Sequence, residues 1–181
     1  MIIEKIKPMV IKLCGDPEHR WWRLHIESVV KYSKLFAKKM NADEEILEVS
    51  AWLHDIQKIK GNRKLHHVNG AKEAEKILMK FGYPEDKIKQ VKHCILTHSS
   101  DKNYPPESKE AIILHNADSL SHFDNSMPFA HWVYGLDKLS IENGRNVLID
   151  KYKRDWNKLT LPEARKIAKP KYDAIKIVLK K

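Results

Sequence analysis

Cysteine is scarce. Cys14 and Cys94 are the only two in 181 residues, far apart and in no CxxC pair. That excludes a disulfide framework and a zinc ribbon, and makes two ordinary buried thiols the expectation. Glycine is scarce too, at six residues. None of the glycine-dependent signatures GxGxxG, GxxxxGK or GxSxG occurs, and HExxH is missing as well. No apolar run approaches the ~20 residues that span a bilayer, so no membrane partner is expected. The opening stretch MIIEKIKPMV lacks the long apolar segment and small-residue cleavage site of a secretory signal. A cytoplasmic location is therefore the expectation. No strand of convincing length, internal repeat or Pro/Gly/Ser-rich linker occurs, which favours a single domain over 1–181.

What the chain does have is charge on an ordinary globular background, 42% hydrophobic and 32% charged. Lys plus Arg number 34 against 24 Asp plus Glu, for a net +10. A basic surface attracts phosphates. The cations are spread along the chain, with clusters at Lys58 to Lys64, Lys151 to Arg154 and Lys176 to Lys181. Spread charge suits a solvated surface and one anion-binding site better than a nucleic-acid track.

Helical periodicity dominates, and the fold class it predicts is all-α. Trp22, Ile26, Val29, Val30, Phe36, Ala37 and Met40 repeat near 3.6 residues. Trp21 and Trp22 read as core residues before they read as a stacking platform for a base. Asn41 with Glu44 has capping-box spacing for a helix that should end near Gln57 to Gly61. Further helices are expected from His66 to Phe81, closed by Gly82, from Pro84 to His98, and from a Ser108 cap through Asp118. A more polar helical stretch follows Pro128, with a break at Asn143-Gly144. Thr160-Leu-Pro-Glu163 has capping-box spacing for a last helix that Pro170 should break or kink.

The chemistry-bearing residues stand behind apolar sequence. His54 and Asp55 follow Val49-Ser-Ala-Trp-Leu53, and Asp118 follows Ala111-Ile-Ile-Leu-His-Asn-Ala117. An unpaired buried carboxylate is expensive, so both aspartates need partners. Neutral imidazole and carboxylate together suit Mn, Fe, Co, Ni or Zn, and suit Ca less. His25, His54, Asp55 and Asp118 could staple three helices around one divalent ion. The same four could also form a packed hydrogen-bond network.

Read as an ordered set, these residues resemble the HD domain, a superfamily of helical metal-dependent phosphohydrolases. The set is His25, then Ala51-Trp-Leu-His54-Asp55-Ile-Gln-Lys58, then His66-His67-Val-Asn-Gly70-Ala71, then Ile95-Leu-Thr-His98-Ser99, and last Asn116-Ala-Asp118-Ser-Leu120. It covers roughly 20–125, leaving a helical C-terminal extension at 127–181. The resemblance implies a compact helical bundle with His25, His54, Asp55 and Asp118 as core metal ligands. It also implies extra ligands at His66 and His98 if two ions bind, with the HxxxG spacing to Gly70 favouring His66 over His67. The implied activity is hydrolysis of a phosphate ester or anhydride, of a nucleotide or similar small phosphorylated metabolite. In it Asp55 orients the attacking water and shares in proton transfer, Lys58 is catalytic through a substrate phosphate or the developing negative charge, and His66, His98 and Arg63, with His67 a further candidate, hold phosphate oxygens. Lys64 is a weaker candidate of the same kind. A di-iron oxygenase and a non-catalytic nucleotide- or nucleic-acid-binding module with a structural metal are the alternatives. A helical interaction protein without metal is a third.

There are departures from the family pattern. Gln57 stands where the family has glycine, which bears on loop shape. Asn116 stands where it has aspartate, which bears on a supporting role beside Asp118. Gly82-Tyr83-Pro84 spells the motif of a cyclic-dinucleotide branch but precedes His98, so it reads as a helix end and start. His93 reads as structural, and His122, four residues after Asp118, as a contact beside the ligands.

Overall fold

The computed structural model describes residues 1–15 and 20–180, the side chains of Arg20, Trp21 and Trp22 excepted, so the expectation for the two tryptophans lies outside the described residues. Among the described residues there is no strand, and no helix is long and apolar enough to cross a membrane. Three helices come first: α1 (Ile2–Leu13), α2 (Arg20–Met40) and α3 (Glu44–Leu53). A single turn, α4 (Ile56–Ile59), leads to the helix pair α5 (His66–Lys80) and α6 (Glu85–Thr97). The long α7 (Lys109–Asp124) follows, then short α8 (Ser126–His131), a π-helical turn at Trp132–Leu136, α9 (Ile141–Lys158) and α10 (Pro162–Val178).

Helix α7 is the axis of the molecule, with α2, α3, α6, α9 and α10 all packed on it. Ile113, Leu114, Ala117 and Leu120 are fully covered, and so are Asn116, Ser119 and Ser121. A helix surrounded on all sides has no polar face to present to water. Each buried polar group on it therefore needs a partner, and those partners position the site. The fully buried Ile46, Leu47 and Leu53 of α3 and Ile95 of α6 contribute about 1.5–3 kcal/mol each and hold the ends of these helices against α7.

Several helix boundaries differ from the sequence expectation, each for a local reason. Asp43, not Asn41, caps α3, its Oδ1 accepting from Glu45 N at 2.9 Å and Ile46 N at 3.0 Å. Asn41 ends α2 at φ 50°, a left-handed position that asparagine tolerates. Helix α3 stops at Leu53 instead of running to Gln57, and Asp55 leaves helical geometry at φ −108°, ψ 18°. The His54 ring explains the break: its Nδ1 lies 2.8 Å from Ala51 O, the carbonyl a continuing helix would offer to Asp55. Gly144 sits inside α9 and not at a break, because a Cβ there would meet Tyr134 Cε1 at 2.3 Å. The real interruption is at 137–140, where Ser140 Oγ accepts from Asn143 N and caps α9.

Thr160 and Glu163 do not form a capping box. Glu163 pairs with Lys39, and the Thr160 hydroxyl accepts from Asn116 Nδ2 at 2.9 Å. Asn116 Oδ1 accepts the N–H groups of Thr160 (2.8 Å) and Leu161 (3.0 Å), while Nδ2 also donates to Ile112 O. One buried carboxamide thus takes the place of the cap and fastens α10 to α7. Helix α10 continues through Pro170. Pro170 lies on the exposed face, where water can satisfy the carbonyl that loses its donor. Gly82, at φ 70°, closes α5 as expected. Cys14 and Cys94 are buried and free, and burial pushes their thiols up to about 11 and about 12.

Candidate metal centre

Four histidines and two aspartates converge where α2, α3, α5, α6 and α7 meet. His54 ends α3, and His98 ends α6 in the same manner, its Nδ1 2.6 Å from Ile95 O. His66 opens α5, its Nδ1 3.3 Å from Arg63 O. The intervening Leu65 is held at φ 50°, a strained conformation for a leucine. Gly70 of α5 packs against the end of α3, where a Cβ would stand 3.4 Å from His54 O in ordinary contact. His25 of α2 is set from another helix. Ser121 Oγ donates to Asp118 O at 2.7 Å, so toward His25 Nδ1, 2.9 Å away, it is the acceptor. In all four rings Nδ1 faces an oxygen that takes its hydrogen, so in the neutral form Nε2 is the acceptor.

These Nε2 atoms face one another and the carboxylates. His25 Nε2 is 3.1 Å from His54 Nε2. Both approach Asp55 Oδ2 at 3.5 Å, and Asp118 Oδ1 at 3.4 and 3.7 Å. On the other side of Asp55, His66 Nε2 and His98 Nε2 are 3.2 Å apart and lie 3.8 and 3.5 Å from Asp55 Oδ1. The two oxygens of Asp55 therefore face two separate groups of donor atoms.

Lysines balance the buried carboxylates. Lys58 Nζ is 2.9 Å from Asp55 Oδ1, and Lys158 Nζ is 3.1 Å from Asp118 Oδ2 while also donating to His98 O. Burial alone would raise both carboxyls, but Lys58 and the His54 ring hold Asp55, and Lys158 and the histidines hold Asp118, well below the usual carboxylate range. Burial lowers the His54 imidazole to about 3 and the His66 imidazole to about 3. These two rings are therefore neutral at physiological pH, the form that binds metals.

The ion pairs account for the carboxylates but not for the histidines. Two pairs of ring nitrogens stand in contact, acceptor against acceptor, and Asp118 Oδ1 is buried without a hydrogen-bond donor. A cation between them resolves both. Ions bonded at about 2.0–2.2 Å have ligands roughly 3–4 Å apart, which matches the spacings above. The residues present fit a divalent ion of the Mn to Zn series in the His25, His54, Asp55, Asp118 group. They fit a second in the Asp55, His66, His98 group.

A cavity of about 330 Å³ opens onto this centre. Its polar lining includes His25, Asp55, Lys58, Arg63, His66, His122, Lys151 and Arg154, and Phe129, Trp132 and Val133 are its apolar lining. The Arg63 guanidinium lies 3.9 Å over the Trp132 ring. His67 is not brought to this cavity; its Nε2 lies 3.3 Å from Asp101 and its ring meets Tyr104 edge-on. His93 accepts from Glu107 N, and Gln57 from Asn62 Nδ2 within the loop.

Lys151, Asp155 and Lys158, which sequence reasoning did not place in the site, reach it from one face of α9 at helical spacing of four and three residues. That stripe was the available signal. Asp155 Oδ2 is 3.1 Å from Lys151 Nζ and 3.0 Å from His122 Nδ1. Burial lowers the Lys151 ammonium and brings the His122 imidazole down to about 4.

The HD domain family model matches residues 24–122, more than half of the chain. The chain belongs to the HD domain family. Among solved structures it is similar to an HD-superfamily hydrolase from Bacillus thuringiensis (TM-score 0.71, 20% identity, covering 98% of this chain and 92% of that one). It is also similar to Bacillus subtilis YpgQ (0.69, 19%, 94% and 93%). A predicted HD superfamily hydrolase from an uncultured Thermotogales bacterium aligns at 0.60, with 21% identity over 83% of this chain and 85% of that one. At such identities the likeness is one of fold, and it extends past the HD-matched segment into the C-terminal helices. No curated protein matches the sequence.

Proposed function

We propose that this HD domain protein is a metal-dependent phosphohydrolase acting on a nucleotide or a similar small phosphorylated metabolite. The observation that carries the reading is the pair of Nε2-to-Nε2 contacts flanking Asp55, at the floor of a cavity whose polar rim is cationic. Among enzymes with the name HD-superfamily hydrolase is the Bacillus thuringiensis structural neighbour. A divalent ion held by His25, His54, Asp55 and Asp118 would supply Lewis acidity, lowering the pKa of water and polarising a phosphoryl oxygen.

The protein's own groups do the rest. Asp55, ionised by its lysine, orients the attacking water and takes part in moving its proton. Lys58 is charged and sits on Asp55, where it can reach an incoming phosphoryl oxygen as negative charge develops. Arg63, on the rim, binds phosphate. The Phe129, Trp132 and Val133 wall excludes water and packs the non-phosphate part of the substrate. His67, turned toward Asp101, drops out of the phosphate-binding set.

The test is metal content by elemental mass spectrometry, with hydrolysis of a nucleotide panel, for the parent and for Asp55→Ala. The reading expects near-stoichiometric Mn, Fe, Co, Ni or Zn in the parent and phosphate release. In the variant it expects a drop in metal affinity beyond about 100-fold, more than is usual for losing a partner outside the ligand set, and no turnover. A parent that stays empty after metal addition would sink the proposal. The sharing of Asp55 between two donor groups also suits a di-iron oxygenase; iron with oxygen consumption and no phosphate release would favour that reading instead.

A further inference from the structure

His122 lies at the edge of the family-matched segment, and the residue that holds it, Asp155, lies beyond it. The ring is fixed on every side. One face stacks on His25 at 5.1 Å between centroids and 12° between planes, and Phe129 packs edge-on at 5.0 Å. Nδ1 faces the buried Asp155 carboxylate at 3.0 Å. A ring nitrogen so close to a carboxylate must carry the hydrogen, because an acceptor there would repel it. Nε2 is then an acceptor, and it faces Asp118 Oδ1 at 3.6 Å.

That contact makes no sense as a hydrogen bond. The separation is too long, and both atoms are acceptors. Asp118 Oδ1 is also buried with no hydrogen-bond donor, and the Nε2 atoms of His25 and His54 crowd it at 3.4 and 3.7 Å. Three imidazole acceptors thus converge on one unsatisfied carboxylate oxygen. His25, Asp118 and His122 by themselves have ligand atoms close enough to share an ion. A carboxylate behind the far nitrogen of a ligating imidazole sets its tautomer and raises its basicity. Asp155 stands in that relation to His122, and Lys151 Nζ lies 3.1 Å from the same carboxylate.

Granted the reading above, that an ion occupies the His25, His54, Asp55, Asp118 group, we propose that His122 is a further protein ligand to it and that Asp155 of α9 is the residue that positions His122. The C-terminal helices then complete the metal centre as well as walling the cavity. One coordination position fewer is open to water, and a fragment that stops at the end of α7 keeps every ligand but loses the carboxylate that sets His122.

The experiment is a Co(II) titration of the EDTA-treated full chain, read by calorimetry and by the visible ligand-field bands of the bound ion. The variants are His122→Phe, which keeps the ring area between His25 and Phe129 but carries no nitrogen, and Asp155→Asn. His122→Ala is titrated with and without free imidazole. Far-UV circular dichroism of the metal-free proteins shows that each variant is folded. His122→Phe carries the test should the alanine variant unfold. The first Co(II) equivalent should bind at least 10- to 100-fold more weakly to His122→Phe, with altered bands. The drop for Asp155→Asn should be on the order of 10-fold. Free imidazole should return the His122→Ala spectrum toward that of the parent. Co(II) affinity and bands unchanged in His122→Phe would overturn the proposal while leaving the metal reading intact, as would an effect on substrate KM alone. A parent that takes up no Co(II) would bring down the metal reading and this proposal together.

Discussion

The histidines of the centre are held in two different ways. His54, His66 and His98 each bond the backbone carbonyl three residues before them, at Ala51, Arg63 and Ile95. Their aim is fixed by the turn of chain they sit on. His25 and His122 are aimed from elsewhere, His25 by Ser121 of α7 and His122 by Asp155 of α9. The first kind needs only a correctly ended helix. The second exists only once α2, α7 and α9 have packed, so it couples the centre to the whole fold and to single side chains that can be removed.

Acid should attack both kinds, and with the largest effect. Burial first of all lowers His54 and His66 to about 3 and His122 to about 4. In the unfolded chain these rings titrate near ~6.5, so the unfolded state takes up protons first. Stability is whole above about pH 6.5 and drains as pH falls toward the folded values. Asp55 and Asp118, held low by their lysines, are stabilising above about 3.8 and extend the loss below it. Urea unfolding of the metal-free protein at about pH 7 and about pH 5 should show a decline of up to about 2 kcal/mol per imidazole. A flat profile would mean that these rings are more solvated than their packing indicates.

Removing the Ser121 hydroxyl separates the two kinds directly. Ser121→Ala takes away the acceptor for His25 Nδ1 and frees the ring to turn. Metal affinity should fall about 10- to 100-fold, while the backbone-held His66 and His98 pair is untouched. Calorimetric titration of parent and variant measures it. An unchanged affinity would show that the neighbouring His122 and His54 rings hold His25 without the serine.

Asn116→Ala should do the reverse. Four hydrogen bonds to Ile112, Thr160 and Leu161 are lost, destabilising the protein by about 2–3 kcal/mol with metal affinity kept. Thermal unfolding beside metal titration distinguishes a fastener of α10 from a residue that supports Asp118. A tenfold fall in affinity would assign it the second role.

The same contrast sets what was legible in the sequence. His54, Asp55, His66, His98 and Asp118 stand beside apolar helical runs, and periodicity alone places them at helix ends or inside a buried helix. The all-α class and most helix spans follow from the same pattern. Ser121 carries no local signal and Asp155 only the stripe it shares with Lys151 and Lys158, since their roles depend on which helices become neighbours across long stretches of chain. Boundaries failed where a side chain overrode the backbone: the His54 ring took the carbonyl that would have continued α3, and the Asn116 carboxamide replaced the cap of α10. Gly144 read as a breaker because its need, room for Tyr134, lies outside its own helix.

Leu65 offers the smallest and finest test. It is held at φ 50° between Arg63, whose carbonyl orients His66, and His66 itself, and its side chain is 53% exposed. A left-handed conformation costs a leucine about 1–2 kcal/mol, and an exposed side chain recovers little of that by packing. Leu65→Gly relieves the strain but gives the unfolded chain more freedom, worth about 0.5–1 kcal/mol. The net expectation is a gain of up to about 1 kcal/mol in urea unfolding. Glycine adopts the same φ without strain, so the Arg63-to-His66 bond should survive in the folded state. If the variant is instead less stable, the leucine side chain packs against its surroundings more than its exposure suggests, and the aim of His66 belongs with the remotely held kind.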